Sequence, residues 1–200
     1  MRRLHRLNAF ILGVFLVVHF ANHALLFGGI GAHLKAMMVL RGGYRLPGIE
    51  HILLGLFATQ IILGVVLVFQ RGKPSGGWAW AQVLSGGYIA FFLLQHLSAI
   101  LMARSGLDTN SYFAAAVVSR TPLSYYFAPY YVLGIGAVFT HVACALRFRV
   151  WPQPATRLQR ALPVVGVVLG VGAVAGLTGA TDPFDLPPAY DAYAASLLGD

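Results

Sequence analysis

Five long apolar blocks constrain the fold of this chain more than any other feature of its sequence. They cover about residues 8–28, 49–70, 82–103, 129–150 and 161–179. The hydrocarbon core of a bilayer is about 30 Å thick, so a helix of roughly 20 apolar residues crosses it. A helix also satisfies its own backbone N–H and C=O groups, which lipid cannot do. The sequence therefore predicts an all-α integral membrane protein with five transmembrane helices.

The composition agrees with a chain that lies in a membrane. Of its 200 residues, 58% are hydrophobic and 10% are charged, whereas a soluble domain carries about 25% charged residues. The formal net charge of +8 comes from Arg and Lys residues that lie mostly between the apolar blocks, where such residues contact lipid headgroups. No nucleic-acid partner is expected, because the sequence has no basic stripe with interleaved aromatic residues. The single cysteine, Cys144, excludes an intrachain disulfide or thiolate metal site.

The basic residues also predict the orientation. Nine Arg and Lys residues fall on the side of the N-terminus and five on the opposite side. Because basic loops stay in the cytoplasm, we expect a multi-pass protein of a bacterial-type inner (cytoplasmic) membrane, with the N-terminus inside and the C-terminus outside. The first block is interpreted as a retained helix and not a signal peptide, since no small-residue cleavage site stands out after it.

The connections and the C-terminal segment complete the predicted organisation. Residues 1–180 are expected to form one transmembrane domain, and 181–200 an acidic tail with four aspartates and no Lys or Arg. The longest connection, about 105–128, contains a stretch at 111–118 that is predicted to be a short interfacial helix.

Histidines inside the apolar blocks are the candidate functional residues. Ionisable residues in a bilayer are costly and often functional. For a lone histidine inside a membrane, a structural hydrogen bond between helices accounts for about half of the cases. His19 and His96 lie in the first and third blocks, which run in the same direction, and both fall roughly 20 Å from the cytoplasmic edge. Two imidazoles from facing helices at one depth are the arrangement that binds a b-type haem. The first four helices are therefore predicted to form a haem-binding bundle.

Two further histidines extend this set. His141 lies deep in the fourth block, but the matching depth on the second helix is near Gln60, which is not a histidine. His23 lies one turn beyond His19 on the same face. It can bond a haem propionate, a quinone or a neighbouring helix.

In their order and spacing these residues resemble a known family. The chain is similar to the single-subunit, five-helix cytochrome b anchor of succinate:quinone oxidoreductases, the succinate dehydrogenases and fumarate reductases. The resemblance covers about residues 2–150. The matching pieces are Arg-Arg-Leu-His at 2–5, Gly13 to His19 with His23, Glu50, Gln60-Ile-Ile-Leu-Gly64 where the family has His-x-x-x-Gly, Ser85-Gly86, Phe91-Phe-Leu-Leu-Gln-His96, Ser119 to Pro122, and His141.

The resemblance implies a cofactor and a ligand set. His19 and His96 would be the axial ligands of the iron of one haem b, nearer the outer face. His141 would ligate a second, inner haem together with a second-helix histidine, whose position Gln60 occupies here. Glutamine is a poor ligand for haem iron, which leaves three readings: the inner haem is absent, His141 has another role, or its partner lies elsewhere.

The resemblance also implies partners and a pathway of electrons. A flavoprotein and an iron–sulfur subunit on the cytoplasmic side would carry the dicarboxylate chemistry of the tricarboxylic acid cycle, which this chain cannot perform. Electrons would pass between the iron–sulfur subunit and a membrane quinone. Glu50 and His51, at the outer end of the second helix, are candidates for a proton relay to that quinone. The alternatives are another b-type cytochrome, of the b561 or hydrogenase type, and a haem-free membrane anchor.

Overall fold

The computed structural model describes residues 1–149 and 155–199, and over these ranges the chain is helical without strands. Five helices are long and apolar enough to cross a membrane, which confirms the predicted number of spans. They are α1 (Arg2–Ala24), α3 (Ile49–Arg71), α4 (Gly77–Ala103), α6 (Leu123–Arg149) and α7 (Arg157–Leu177). Residue 150, where the fourth predicted span ends, lies outside the described residues.

Several spans begin earlier than the apolar blocks do. α1 begins at Arg2, α4 at Gly77 and α6 at Leu123, five or six residues before the blocks at 8, 82 and 129. The apolar pattern reports only the segment that contacts hydrocarbon. The helix itself continues into the headgroup region, where basic and aromatic residues are favourable.

Three shorter helices connect or follow the spans: α2 (Ile30–Tyr44), α5 (Ser111–Ser119) and α8 (Pro188–Ser196). α5 confirms the helix predicted at 111–118, and the Asn110 side chain caps it by accepting from the Tyr112 N–H at 2.9 Å. A 3-10 turn at Leu25–Gly28 joins α1 to α2. The sequence pattern did not predict α2, nor α8, which lies in the segment expected to be an acidic tail.

Glycines on α7 set the closest helix packing. α6 packs against both α4 and α7, whereas α1 packs mainly against α3. A Cβ atom added at Gly170 would stand 2.9 Å from the Cα of Val132 on α6, and one added at Gly176 would overlap Leu26 in the 3-10 turn. Small residues at an interface allow such close approach between membrane helices.

The apolar core is concentrated where the short helices meet α6 and α7. Leu26, Ile30, Ala115, Ile135 and Leu177 are buried there against one another. α8 extends this packing over α5, since the Phe113 and Tyr193 rings lie 5.0 Å apart and Arg120 pairs with Asp191 at 2.9 Å. The segment 181–200 therefore contributes a packed helix.

Candidate functional site

α1 and α4 bring His19 and His96 together. The centroids of the two imidazoles are 6.5 Å apart and their planes are inclined by 73°. An imidazole nitrogen ligates a transition metal at about 2 Å, so two rings aimed at one ion from opposite sides have centres roughly 6 Å apart. The observed separation matches this value. In donor type and spacing, His19 and His96 are suited to be the two axial ligands of a haem iron.

The helices that carry this pair are not close packing partners. Among the described residues, the main packing partners of α1 are α3, α2 and α7, and the main partner of α4 is α6. α1 and α4 thus face each other through their histidines and not through close backbone contact. Phe15 stacks on His19 with centroids 5.4 Å apart, and Phe92 stacks on His96 at 5.3 Å. These aromatic rings restrict the orientation of each imidazole.

Two more histidines adjoin the pair. The Nε2 atoms of His19 and His23 are 3.1 Å apart, and the His23 ring stacks on His33 with centroids 5.1 Å apart. His33 is held by hydrogen bonds on both nitrogens, to Ser111 Oγ at the start of α5 and to the Asn22 side chain at 3.1 Å. We call His19, His23, His33 and His96 the histidine cluster; α1, α2 and α4 supply its members and α5 supports it.

His33 is a member that the sequence did not reveal. It lies on α2, outside the five spans, where the apolar pattern does not indicate that a histidine is buried. Its side chain is buried, and burial lowers the pKa of His33 to about 4. His33 is therefore neutral at pH 7 and can accept a hydrogen bond on one ring nitrogen while donating on the other.

His141 lies in a different setting, against the start of α4. Its Nδ1 is 3.2 Å from the carbonyl oxygen of Gln82 and 3.2 Å from Ser85 Oγ. A carbonyl only accepts, so Nδ1 carries the proton and Nε2 keeps the lone pair, which is the form found in metal-ligating histidines. Gly86 permits this contact, because a Cβ there would stand 3.0 Å from Cε1 of His141.

Gln60 has partners other than His141. Its Nε2 lies 3.2 Å from His5 Nε2, and its Oε1 accepts from Asn8 Nδ2 at 2.9 Å. Asn8 is buried and also donates to the Leu56 carbonyl at 2.8 Å. The side chain at the expected ligand position is thus hydrogen-bonded to His5. We call His141, Ser85 and Gln82 the His141 cluster, and Gln60, His5 and Asn8 the Gln60 network.

The residues proposed for a proton relay are placed near the ends of α3 and α4. Glu50 pairs with Arg104 at 2.7 Å, and His51 is exposed. Nearby, Arg41 pairs with Asp108 at 2.5 Å, and this guanidinium lowers the pKa of the Asp108 carboxyl. These two ion pairs therefore connect α2 to the segment before α5, and the start of α3 to the end of α4.

The donor chemistry limits what the described residues can bind. Among them, no group of three or more His, Cys, Asp or Glu side chains is arranged to hold a metal ion. A haem needs only two axial ligands from the protein, since the porphyrin supplies the others. No family model, curated protein or solved structure matches this chain. Any function proposed for it therefore depends on its own residues.

Proposed function

We propose that this chain is the haem b-containing membrane anchor of a succinate dehydrogenase or fumarate reductase complex, passing electrons between an iron–sulfur subunit and membrane quinone. The observation that supports it best is the 6.5 Å separation of the His19 and His96 rings on two different spans. The order of motifs from Arg2 to His141 favours this type of anchor over other membrane cytochromes.

The residues of this chain would bind and orient the cofactor. His19 and His96 would hold the iron, while Phe15 and Phe92 keep the two imidazoles in place. The bound haem would supply one-electron transfer. His141, with Nδ1 hydrogen-bonded to Gln82, would help to hold a second haem only together with a partner other than Gln60.

The chain leaves the dicarboxylate chemistry to partners. One cysteine cannot bind an iron–sulfur cluster, and the sequence has no dinucleotide-binding loop. A flavoprotein and an iron–sulfur subunit would dock on the cytoplasmic side, where Arg2, Arg3 and Arg6 are exposed at the start of α1. The N-terminus would be cytoplasmic and the C-terminus outside, in a bacterial-type inner membrane.

A haem-free anchor is the second candidate, and one contact favours it. The Nε2 atoms of His19 and His23 are 3.1 Å apart, so a hydrogen bond between them uses the nitrogen that would face the iron. Imidazoles hydrogen-bonded within a membrane bundle need no metal.

The visible spectrum of the purified protein tests the proposal. We expect a low-spin b-type spectrum on reduction, and loss of that haem in His19→Ala and in His96→Ala. His51→Ala is the matched control, because this histidine is exposed and near the end of a span. Full haem content in both cluster variants would show that the ligands are wrong. Purification with a flavin-containing partner distinguishes this anchor from a cytochrome of the b561 or hydrogenase type.

A further inference from the structure

A small pocket lies between α1 and α2 beside the histidine cluster. It has a volume of about 60 Å³ and is lined on its polar side by His19, Asn22, His23, His33 and Tyr44. No Arg, Lys, Asp or Glu is among the described residues that line it. A phosphate headgroup would need a cationic partner. The pocket therefore suits an uncharged, compact polar group.

An open apolar groove continues from this pocket. The groove has a volume of about 530 Å³ and is lined by residues of α1, α2, α3 and the connection between them, including Phe10, Val14, Gly43, Leu46 and Leu53. Phe15 and Tyr44 line both the pocket and the groove. Phe10 and Val14 are 75% and 62% exposed within a membrane span, so the groove opens toward hydrocarbon.

One polar atom at the pocket lacks a partner. Asn22 is 6% exposed, and its buried Oδ1 has no hydrogen-bond partner among residues 1–149 and 155–199, while its Nδ2 contacts His33. Exchanging the amide oxygen and nitrogen, which are nearly indistinguishable in shape, leaves the other atom unpaired instead. A buried polar atom without a partner is costly. A ligand with a hydroxyl or carbonyl group in the pocket would remove this cost.

We propose that the ring of a membrane quinone or quinol occupies the pocket between α1 and α2, and that its isoprenoid chain lies in the adjoining groove. This deepens the proposed function, on which the choice of a quinone rests. A quinol hydroxyl would donate to the Asn22 amide oxygen, and a quinone carbonyl would accept from the amide N–H or from an imidazole N–H. Glu50, already paired with Arg104, would not contact the ring.

The polar half of the site is tested by binding of decylubiquinone and of a naphthoquinone with a matching chain to the protein in lipid nanodiscs. In Asn22→Leu we expect the affinity for the quinone to fall about tenfold, because a hydrogen-bonding partner in the pocket is lost. Asn8→Leu is the matched control, since Asn8 is also a buried amide on α1 but bonds to Leu56 and Gln60 and does not line the pocket. Its affinity should equal that of the unchanged protein.

The apolar half is tested at two neighbouring glycines. In the part of the chain that the structure describes, a Cβ added at Gly43 or at Gly42 would meet no atom within 4 Å, but of these two glycines only Gly43 lines the groove. Gly43→Leu should therefore fill part of the groove without a clash and weaken binding of the long-chain quinone about tenfold. The same quinone ring without a chain should bind almost as before. Gly42→Leu should bind both compounds normally.

The outcomes separate this proposal from the haem assignment. Unchanged binding in both Asn22→Leu and Gly43→Leu would overturn the quinone site, even if the protein contains haem that depends on His19 and His96. Conversely, the purified protein could contain no haem but show the expected pattern of quinone binding. That result would support the quinone site and contradict the proposed electron transfer through haem. Absorbance of the same nanodisc samples gives the haem content directly.

Discussion

The two polar clusters of this bundle use histidine in different ways. In the histidine cluster, His19 and His96 come from helices that are not principal packing partners, and their rings lie 6.5 Å apart. In the His141 cluster, the imidazole contacts a carbonyl and a hydroxyl of α4, which packs directly against its own helix, α6. The spacing between the helices, more than the presence of a histidine, distinguishes a place suited to a planar cofactor.

Glycines contribute to this difference. Gly86 allows the His141 ring to approach the α4 backbone, and Gly134 on α6 allows the Phe92 ring to lie against that helix. By contrast, among the described residues a Cβ added at Gly13 on α1 or at Gly87 on α4 would meet no neighbouring atom within 4 Å, so neither glycine serves a close helix contact. Close helix packing through glycine thus fixes His141 on one neighbouring helix, whereas the described parts of α1 and α4 are not close packing partners.

The largest expected effect is on haem content. His96→Leu should remove the haem, because one axial ligand is lost, whereas His141→Leu should keep it. The measurement is the ratio of haem to protein from the reduced spectrum, expected near one in the unchanged protein. A ratio near two that falls to one in His141→Leu would abolish the distinction between the clusters and show that His141 has a ligand partner other than Gln60.

The next effect is a dependence of stability on pH that should come from the histidine cluster. The pKa of His33 is lowered from 6.5 to about 4. The stabilisation that the neutral His33 side chain gives to the folded state is therefore complete above pH 6.5 and is lost as the pH falls toward 4. This shift corresponds to about 3 kcal/mol. Thermal unfolding in detergent at pH 7.5 and 4.5 should show a smaller difference for His33→Gln than for the unchanged protein. In His51→Gln, which replaces an exposed histidine, the difference should be unchanged.

A third effect tests the packing that supports His96. A Cβ at Gly134 would overlap the Phe92 ring, which stacks on His96. Gly134→Ala should therefore lower the stability by about 1–3 kcal/mol, as overpacking of a tight contact does. Gly87→Ala, whose Cβ meets nothing within 4 Å, is the control and should cost nothing. Equal unfolding temperatures for the two variants would mean that the Phe92 ring moves away from residue 134 without a loss of stability.

The five spans were predictable because lipid imposes one simple requirement, a long apolar helix, and the sequence shows it directly. α2 was not predictable in the same way. It contains Lys35, Arg41 and several glycines over 15 residues, and its apolar face becomes evident only when packed against α1. For the same reason His33 was missed, although it joins the histidines that the sequence did indicate.

The partners of polar side chains required the three-dimensional arrangement. Matching depth indicated that His19 and His96 could meet, because the rise of a helix converts residue number into height. No such rule relates His5 at the start of α1 to Gln60 in the middle of α3, which are 3.2 Å apart at their side-chain nitrogens. The pairing of Glu50 with Arg104 likewise depends on where the ends of two helices lie.

The smallest effect concerns the His141 cluster itself. Ser85→Ala removes the hydroxyl 3.2 Å from His141 Nδ1 but leaves the Gln82 carbonyl as a partner for the same nitrogen. Because no buried group is left unpaired, the loss should be about 1 kcal/mol or less, with unchanged haem content. Thermal unfolding and the reduced spectrum measure both quantities on one sample. A loss of haem in Ser85→Ala would instead place His141 among the iron ligands, because a group that orients a ligand affects the bound metal whereas a simple hydrogen bond between helices does not.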